Sequence, residues 1–274
     1  MTPDSLRSVP VLMYHEVSEP EKATWANLAV SPTALREQLA YLRDAGYTTL
    51  TAGAFASILA TSGQVPPRSV ILTFDDGFED FYRHAVPMIA ENGFAATVFV
   101  TTGWVQDAGS ESAATRPGRM LSWRQLGEAV SAGMEVGAHS CRHLQLDQIP
   151  PALLRDELYT SKSRLEDNLG IPVPGLAYPY GYSNLKVREE ARTAGYDYGY
   201  AVRNTTAAPG GDPFRLPRLT IHRSTDLSEF RRLVDGQLAL TMVRDRALTA
   251  AWSVVRRSKA ALAATGRGDY TSGP

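Results

Sequence analysis

Two adjacent carboxylates and a close pair of histidines carry most of the chemical information in this sequence. Thr73-Phe74-Asp75-Asp76-Gly77 ends an apolar run, Val70-Ile71-Leu72, of strand length. Neighbouring acids at a strand exit are costly if buried and unpaired. A divalent cation relieves that cost, and the two acids then divide the labour: one holds the metal while the other takes a proton from water. Asp-Asp-Gly is equally the composition of a plain turn. His139-Ser140-Cys141-Arg142-His143 follows a second run, Met134-Glu135-Val136-Gly137-Ala138, and contains two of the five histidines. Histidines at i and i+4 converge on one ion if the segment makes a helical turn; otherwise they are inert, hydrogen-bonded residues. One Asp with two His leaves coordination positions open, as in catalytic zinc sites with three protein ligands and a water. Ala177-Tyr178-Pro179-Tyr180-Gly181 ends a third run. Its Pro and Gly force an abrupt turn whose backbone N–H groups are the donors a tetrahedral oxyanion needs. The alternative is a structural turn with aromatic packing.

These segments must be carried to one place by the elements before them. Strand-length runs at Val9–Tyr14, Ser69–Phe74, Phe94–Val100, Met134–Ala138, Leu176–Tyr178, Tyr198–Val202 and Leu216–Ile221 alternate with helical patterns. A helix opens at Ser31-Pro32, repeats apolar positions at Leu35, Leu39 and Leu42, and stops at Gly46. Further helices are expected near 122–132, 151–169, 184–194 and 227–237, with one more running to Asn92 before Gly93. The alternation predicts an α/β fold, a parallel sheet covered by helices. In a closed barrel of that kind, chemistry gathers at the C-terminal ends of the strands. Loops near 103–120 and 203–213 read as surface insertions.

The chain has 274 residues, 43% hydrophobic and 21% charged, as expected of one sizeable globular core. A net charge of −1 gives no general attraction to nucleic acid. The single cysteine, Cys141, rules out an internal disulfide framework and suits a reducing compartment. No stretch approaches the roughly 18 apolar residues of a membrane span. The N-terminus lacks the apolar core of a secretory signal, so the expected location is cytoplasmic, or extracellular if a leader has been removed. From about Leu238 to Ala264 an Ala-rich helix is expected, with Arg244, Arg246, Arg256, Arg257 and Lys259 against Asp245. Its basic face would suit an anionic membrane surface, although a solvated or barrel-capping helix accounts for it as well. A flexible tail follows from Thr265. The expected division is a catalytic domain at 1–237 with the helix and tail at 238–274.

Thr73-Phe74-Asp75-Asp76-Gly77, His139-Ser140-x-x-His143 and Tyr178-Pro179-Tyr180-Gly181, in that order, resemble the motifs of the polysaccharide deacetylase family, the NodB-homology or carbohydrate esterase 4 group. Pro10-Val11-Leu12-Met13-Tyr14-His15 resembles the opening of its poly-N-acetylglucosamine deacetylase-like subclass. The resemblance spans about residues 9–235. It implies a distorted (β/α) barrel and a divalent metal, usually zinc. It also implies Asp75 as general base, Asp76, His139 and His143 as metal ligands, and the backbone N–H of Tyr180 in the oxyanion hole. The implied reaction is attack of water on an acetamide carbonyl of an N-acetylated glycan, releasing acetate and a free amine. An O-acetyl carbohydrate esterase with the same metal centre and an inactive glycan-binding relative are the alternatives.

Three departures matter. Many family members carry an Arg in the third motif that orients the catalytic Asp, and here that position is Ala177. Cys141 lies between the two histidines, either as a softer extra ligand or as a buried small residue. The family's general acid is a His in a late Leu-x-His-like motif, for which Leu219-Thr220-Ile221-His222 is the candidate. By strand alternation His222 shares a face with Thr220, inside the barrel if Leu219 and Ile221 face the helices, or equally at the rim. His15 ends a strand and is placed either to touch substrate or to support the residues that do, whereas His84 falls in a helix. Trp104, Trp123, Tyr180 and Tyr182 are candidate stacking faces for sugar rings.

Overall fold

Each strand is followed by a helix or long loop that returns the chain to the same end, so every pairing in the sheet is parallel. The structure is a computed structural model that describes residues 8–19, 23–108, 117–208 and 210–237. In chain order the elements are β1 (Val11–Tyr14), α1 (Pro32–Asp44), β2 (Thr48–Leu50), α2 (Ala52–Ala60), β3 (Ser69–Phe74), α3 (Val86–Glu91), β4 (Thr97–Val100), α4 (Trp123–Ser131), β5 (Glu135–Ala138), α5 (Pro151–Leu169), β6 (Gly175–Ala177), α6 (Leu185–Thr193), β7 (Tyr198–Val202), β8 (Leu216–Thr220) and α7 (Leu227–Val234). The seven strand runs expected from the sequence are β1 and β3 to β8. The C-terminal helix and tail expected beyond 237 lie outside the described residues.

The strand order β1-β8-β7-β6-β5-β4-β3 closes on itself, because β1 pairs with both β8 and β3. The barrel is distorted at β3. One edge of β3 pairs with β1 over its last four residues, from Val11↔Ile71 to Tyr14↔Phe74. The other edge is shared: Ser69–Ile71 pair with β2, and Thr73–Phe74 pair with β4. Strand alternation then sorts the side chains. Leu12, Tyr14, Leu72, Phe74, Leu219 and Ile221 pack outward against the helices. Val11, Ile71, Phe99, Tyr200 and Leu216 fill the interior. Gly175 is required by this filling, since a Cβ there would lie 2.3 Å from the Tyr198 hydroxyl oxygen.

β2 and α2 were not expected from the sequence. β2 has three residues, and α2 (Ala-Gly-Ala-Phe-Ala-Ser-Ile-Leu-Ala) is small and apolar on all sides, so no stripe marks a buried face. Phe55 and Ala56 join the inward cluster. The helix N-terminus is fastened to the strands: Ala52 N donates to Thr97 Oγ1 at 2.8 Å, and Gly53 N to Glu135 Oε2 at 2.9 Å. The Tyr200 hydroxyl donates to Ala52 O at 3.0 Å. The N-terminal end of the barrel is thereby plugged.

The helix boundaries follow their caps. Ser31 Oγ accepts from Ala34 N and Pro32 opens α1. The helix expected to reach Asn92 begins instead as a π turn over Phe81–Ala85 before α3. Pro87 is the cause, since it cannot donate the backbone bond that a regular helix needs there.

Candidate active site

Asp75 follows β3 with the inward parity of Ile71 and Thr73, and its N–H donates to Tyr14 O at 2.9 Å. Asp76 then takes φ 75° and Gly77 φ 86°, and Gly77 N reaches back to Asp75 O at 3.0 Å. The tripeptide is therefore a tight turn and at the same time the carrier of two buried acids. Thr101 N, just after β4, ties the turn down by donating to Asp76 O at 3.2 Å.

His139 follows β5 and is buried. Its Nδ1 lies 2.8 Å from Ala177 O, an obligate acceptor, so Nδ1 carries the proton and Nε2 keeps its lone pair. Nε2 is 3.4 Å from Asp76 Oδ1 and 3.9 Å from Asp75 Oδ2. His143 Nε2 is 3.2 Å from the same Asp76 oxygen. The two histidines do not converge by a helical turn. Ser140 and His143 sit at φ 63° and 59°, so the segment is an irregular, left-handed loop.

These ligand atoms fit a cation. Asp76, His139 and His143 each offer one atom within 4.8 Å of the others. Both carboxylate oxygens of Asp76 are buried without a hydrogen bond, an arrangement that is costly unless a cation compensates it. A tetrahedral zinc with ligands at about 2.0–2.1 Å separates them by about 3.3 Å, close to the 3.2 and 3.4 Å seen here. Burial pushes the His139 imidazole down to about 4, outweighing the attraction of Asp75, so it is neutral, as a ligand must be. Cys141 is buried but lies outside this set, with Arg164 Nη1 3.6 Å from its sulfur. Burial raises its thiol pKa.

The residue that sequence reasoning missed is Arg218 on β8. It is 0% exposed. Nη1 donates to Asp75 Oδ1 at 2.6 Å, and Nη2 donates to Oδ2 at 2.7 Å. Burial alone would raise the Asp75 carboxyl, but the Arg218 charge outweighs it and holds the pKa below the usual value. The signal was present: alternation that places Thr220 inside the barrel places Arg218 there too. An arginine from β8 thus occupies the partner role that Ala177 cannot fill from the third motif.

Tyr180 reaches the same rim from the end of β6, in a left-handed conformation at φ 60°. Gly181 is obligatory beside it: φ is 73°, and a Cβ would meet Val202 Cβ at 2.4 Å. The Tyr180 ring is 46% exposed and lies 4.8 Å from His143. Trp104 also stacks on His143, at 4.9 Å and 28°. Trp25, which sequence reasoning did not single out, completes the cup at 6.3 Å from His143 and 6.4 Å from Trp104. Tyr182 stacks on Tyr180 at 6.4 Å. Trp123 does not belong to the cup, because it packs against the helix-side core.

The remaining histidines are placed as follows. His15 stands beside the carboxylates: its charge lowers both aspartate pKa values, and its Nδ1 is buried without a hydrogen bond. His222 lies past the end of β8, half-buried, with its N–H donating to Thr225 Oγ1 at 3.0 Å. His84 is on the π turn.

The closed parallel barrel with this acid–histidine cluster at one end agrees with the comparison to known families. The polysaccharide deacetylase model matches residues 62–199, and the chain belongs to that family. The poly-β-1,6-N-acetyl-D-glucosamine N-deacetylase of Staphylococcus aureus is 27% identical over 71% of this chain and 68% of its own length. The Streptococcus pyogenes deacetylase PplD, solved with acetate, superposes with a TM-score of 0.75 at 27% identity, over 84% of this chain and 99% of that one. IcaB from Ammonifex degensii gives 0.71 at 26%, over 85% and 97%. These similarities agree with the NodB-type barrel and the poly-N-acetylglucosamine deacetylase-like subclass.

Proposed function

We propose that this chain is a metal-dependent carbohydrate deacetylase that hydrolyses the acetamide of an N-acetylated oligo- or polysaccharide. The observation that carries this reading is the buried Asp75, paired with Arg218 and adjacent to the Asp76–His139–His143 cluster. Asp76, His139 and His143 would hold the divalent ion, and a nitrogen-rich set of three favours zinc. A zinc ion bound there supplies Lewis acidity toward the acetamide carbonyl. Asp75 takes the proton of the attacking water as general base. Arg218 keeps that carboxylate ionised and fixes its orientation. The backbone N–H of Tyr180 donates to the oxyanion. The departing nitrogen needs a proton, and His15 and His222 are the histidines of this rim outside the metal set. The cup of Trp25, Trp104 and Tyr180 limits water and offers apolar faces to the sugar.

No helix among the described residues is long and apolar enough to cross a membrane. Acetate release from matched N-acetylated and O-acetylated sugars, after chelation and again after zinc is restored, tests the reading. Zinc-dependent release from the amides is expected. Release from the esters alone would make the protein an O-acetyl esterase, and no release from either would make it a glycan-binding relative.

A further inference from the structure

Glu157 lies in the middle of α5, on a different element from every residue of the site, and is 0% exposed. Its Oε2 accepts the backbone N–H groups of Cys141 at 2.9 Å and Arg142 at 2.8 Å, and Oε1 accepts from Arg142 Nε. Both amides belong to the loop between His139 and His143. That loop is strained, with Ser140 and His143 in left-handed conformations that side chains rarely adopt. Such geometry persists only where the surroundings over-determine it. Inside the loop one side-chain bond serves this purpose, His143 N donating to Ser140 Oγ at 3.0 Å. From outside, Thr102 N and Gly103 N donate to the carbonyls of Ser140 and Cys141 at 3.2 and 2.8 Å. These hold the loop's acceptors, while its two central donors are held by Glu157. A buried carboxylate is an expensive way to satisfy two amides, since a neutral oxygen would do so.

We propose that Glu157 is the positioning residue of the metal centre: its buried carboxylate fixes the 139–143 loop so that His143 faces Asp76 and His139 before a cation arrives. His139 is secured independently, by its N–H on Val100 O at 2.9 Å and its ring on Ala177 O. The burden of a relaxed loop therefore falls on His143, whose side chain has no such anchor on the strands. Outer partners that orient ligands are typically worth 10–100-fold in metal affinity. This inference rests on the metal reading above, and the experiment separates the two.

Zinc affinity of the metal-free full chain is measured by competition with a chromophoric chelator, alongside the melting temperature. Glu157→Ala should weaken zinc binding about tenfold or more. Glu157→Gln, whose amide oxygen can still accept both backbone N–H groups while its NH2 no longer accepts from Arg142 Nε, should keep more zinc affinity than Glu157→Ala. Leu158→Ala removes a buried neighbour on the same helix. It should lower the melting temperature and leave zinc affinity in place. Parent-like affinity in Glu157→Ala, or an equal loss in Leu158→Ala, overturns the inference. Should Glu157→Ala not fold, Glu157→Asp replaces it: its carboxylate stops one methylene short of the amides, and unchanged affinity there overturns the inference equally. His143→Ala guards the premise. If that variant keeps stoichiometric zinc, the metal reading fails whatever Glu157 does.

Discussion

Arg218 clasps Asp75 from β8, on the far side of β1, Nη1 to Oδ1 at 2.6 Å and Nη2 to Oδ2 at 2.7 Å, with the guanidinium closed off from solvent. The pair links β8 to the end of β3, 143 residues apart in sequence. Both carboxylate oxygens are engaged, so Asp75 is held in one orientation as well as one charge state. The Phe99 ring lies 5.6 Å from the guanidinium carbon and closes off the interior side.

The first prediction concerns this clasp. Burial would raise the Asp75 pKa and Arg218 overrides it, so the base stays ionised into the acid range. Arg218→Met removes the override, and the acid limb of kcat/KM should move to higher pH. Below that limb, activity falls about tenfold per pH unit. Arg218→Lys keeps a charge but loses the fork, and should lie between the two. The variant will also melt lower, because an unpaired buried carboxylate costs about 3–5 kcal/mol. The pH profile separates the two effects, and an unmoved acid limb in Arg218→Met would remove the role assigned here.

The adjacent acids should fail differently when changed. Asp75→Asn cannot take a proton, so kcat and kcat/KM should fall together by roughly 10²–10⁴-fold with zinc retained. Asp76→Asn loses a charged ligand and should lose zinc along with turnover. Parallel zinc analysis and steady-state kinetics check both. Near-normal turnover in Asp75→Asn would transfer the base to another group.

The histidines should behave as ligands. Chelation should abolish acetate release and zinc should restore it. His139→Ala and His143→Ala should contain far less than one equivalent of zinc by elemental analysis. If the doubly substituted protein kept a full equivalent, the ion would have to be held elsewhere.

Most of this arrangement was legible because it is local. A polar residue directly after a β-run is delivered to the barrel mouth, so Asp75, Asp76, His139 and Tyr180 could be read from motif and strand position alone. Arg218 shares the inward parity of Thr220 in Leu-Pro-Arg-Leu-Thr, but what makes an arginine tolerable on that face is a carboxylate 143 residues away, which no local pattern supplies. Trp25 was missed for a similar reason: it sits in an irregular loop held by Glu16, which accepts Thr24 N and Trp25 N at 2.9 and 2.7 Å. The plug formed by α2 carries no amphipathic stripe because its surroundings are the barrel floor. The convergence of His139 and His143, conditional on a helical turn when only the spacing of four is known, is achieved instead by a left-handed loop, which spacing does not encode.

The last prediction concerns a carboxyl that the proposed chemistry leaves unused. Asp80 precedes the π turn, with Oδ1 buried and without a hydrogen bond. Burial raises its pKa to about 7, and Glu16 and Glu79 add to the rise, while backbone N–H groups of Val17 and Phe81 oppose it. An unfolded Asp titrates near 3.9. From about pH 4 to about 7 the native protein therefore holds a proton that the unfolded chain has released. Stability then falls as pH rises through that window, because the unfolded state binds fewer protons. Above about pH 7 the native group is ionised too and the cost is fully present. Asp80→Asn is neutral at every pH and escapes it. The substitution should raise the melting temperature at pH 8 by several degrees, because each pKa unit separating the two states is worth about 1.4 kcal/mol and each kcal/mol moves the melting of a chain of this size by about 2–4 °C. Near pH 4 it should change little, since the unfolded chain then still keeps much of its Asp80 proton, and the gain should grow as pH rises toward 7. Thermal melts of both proteins across pH 4–8 check this, and a gain of equal size near pH 4 and at pH 8 would mean that Asp80 titrates normally.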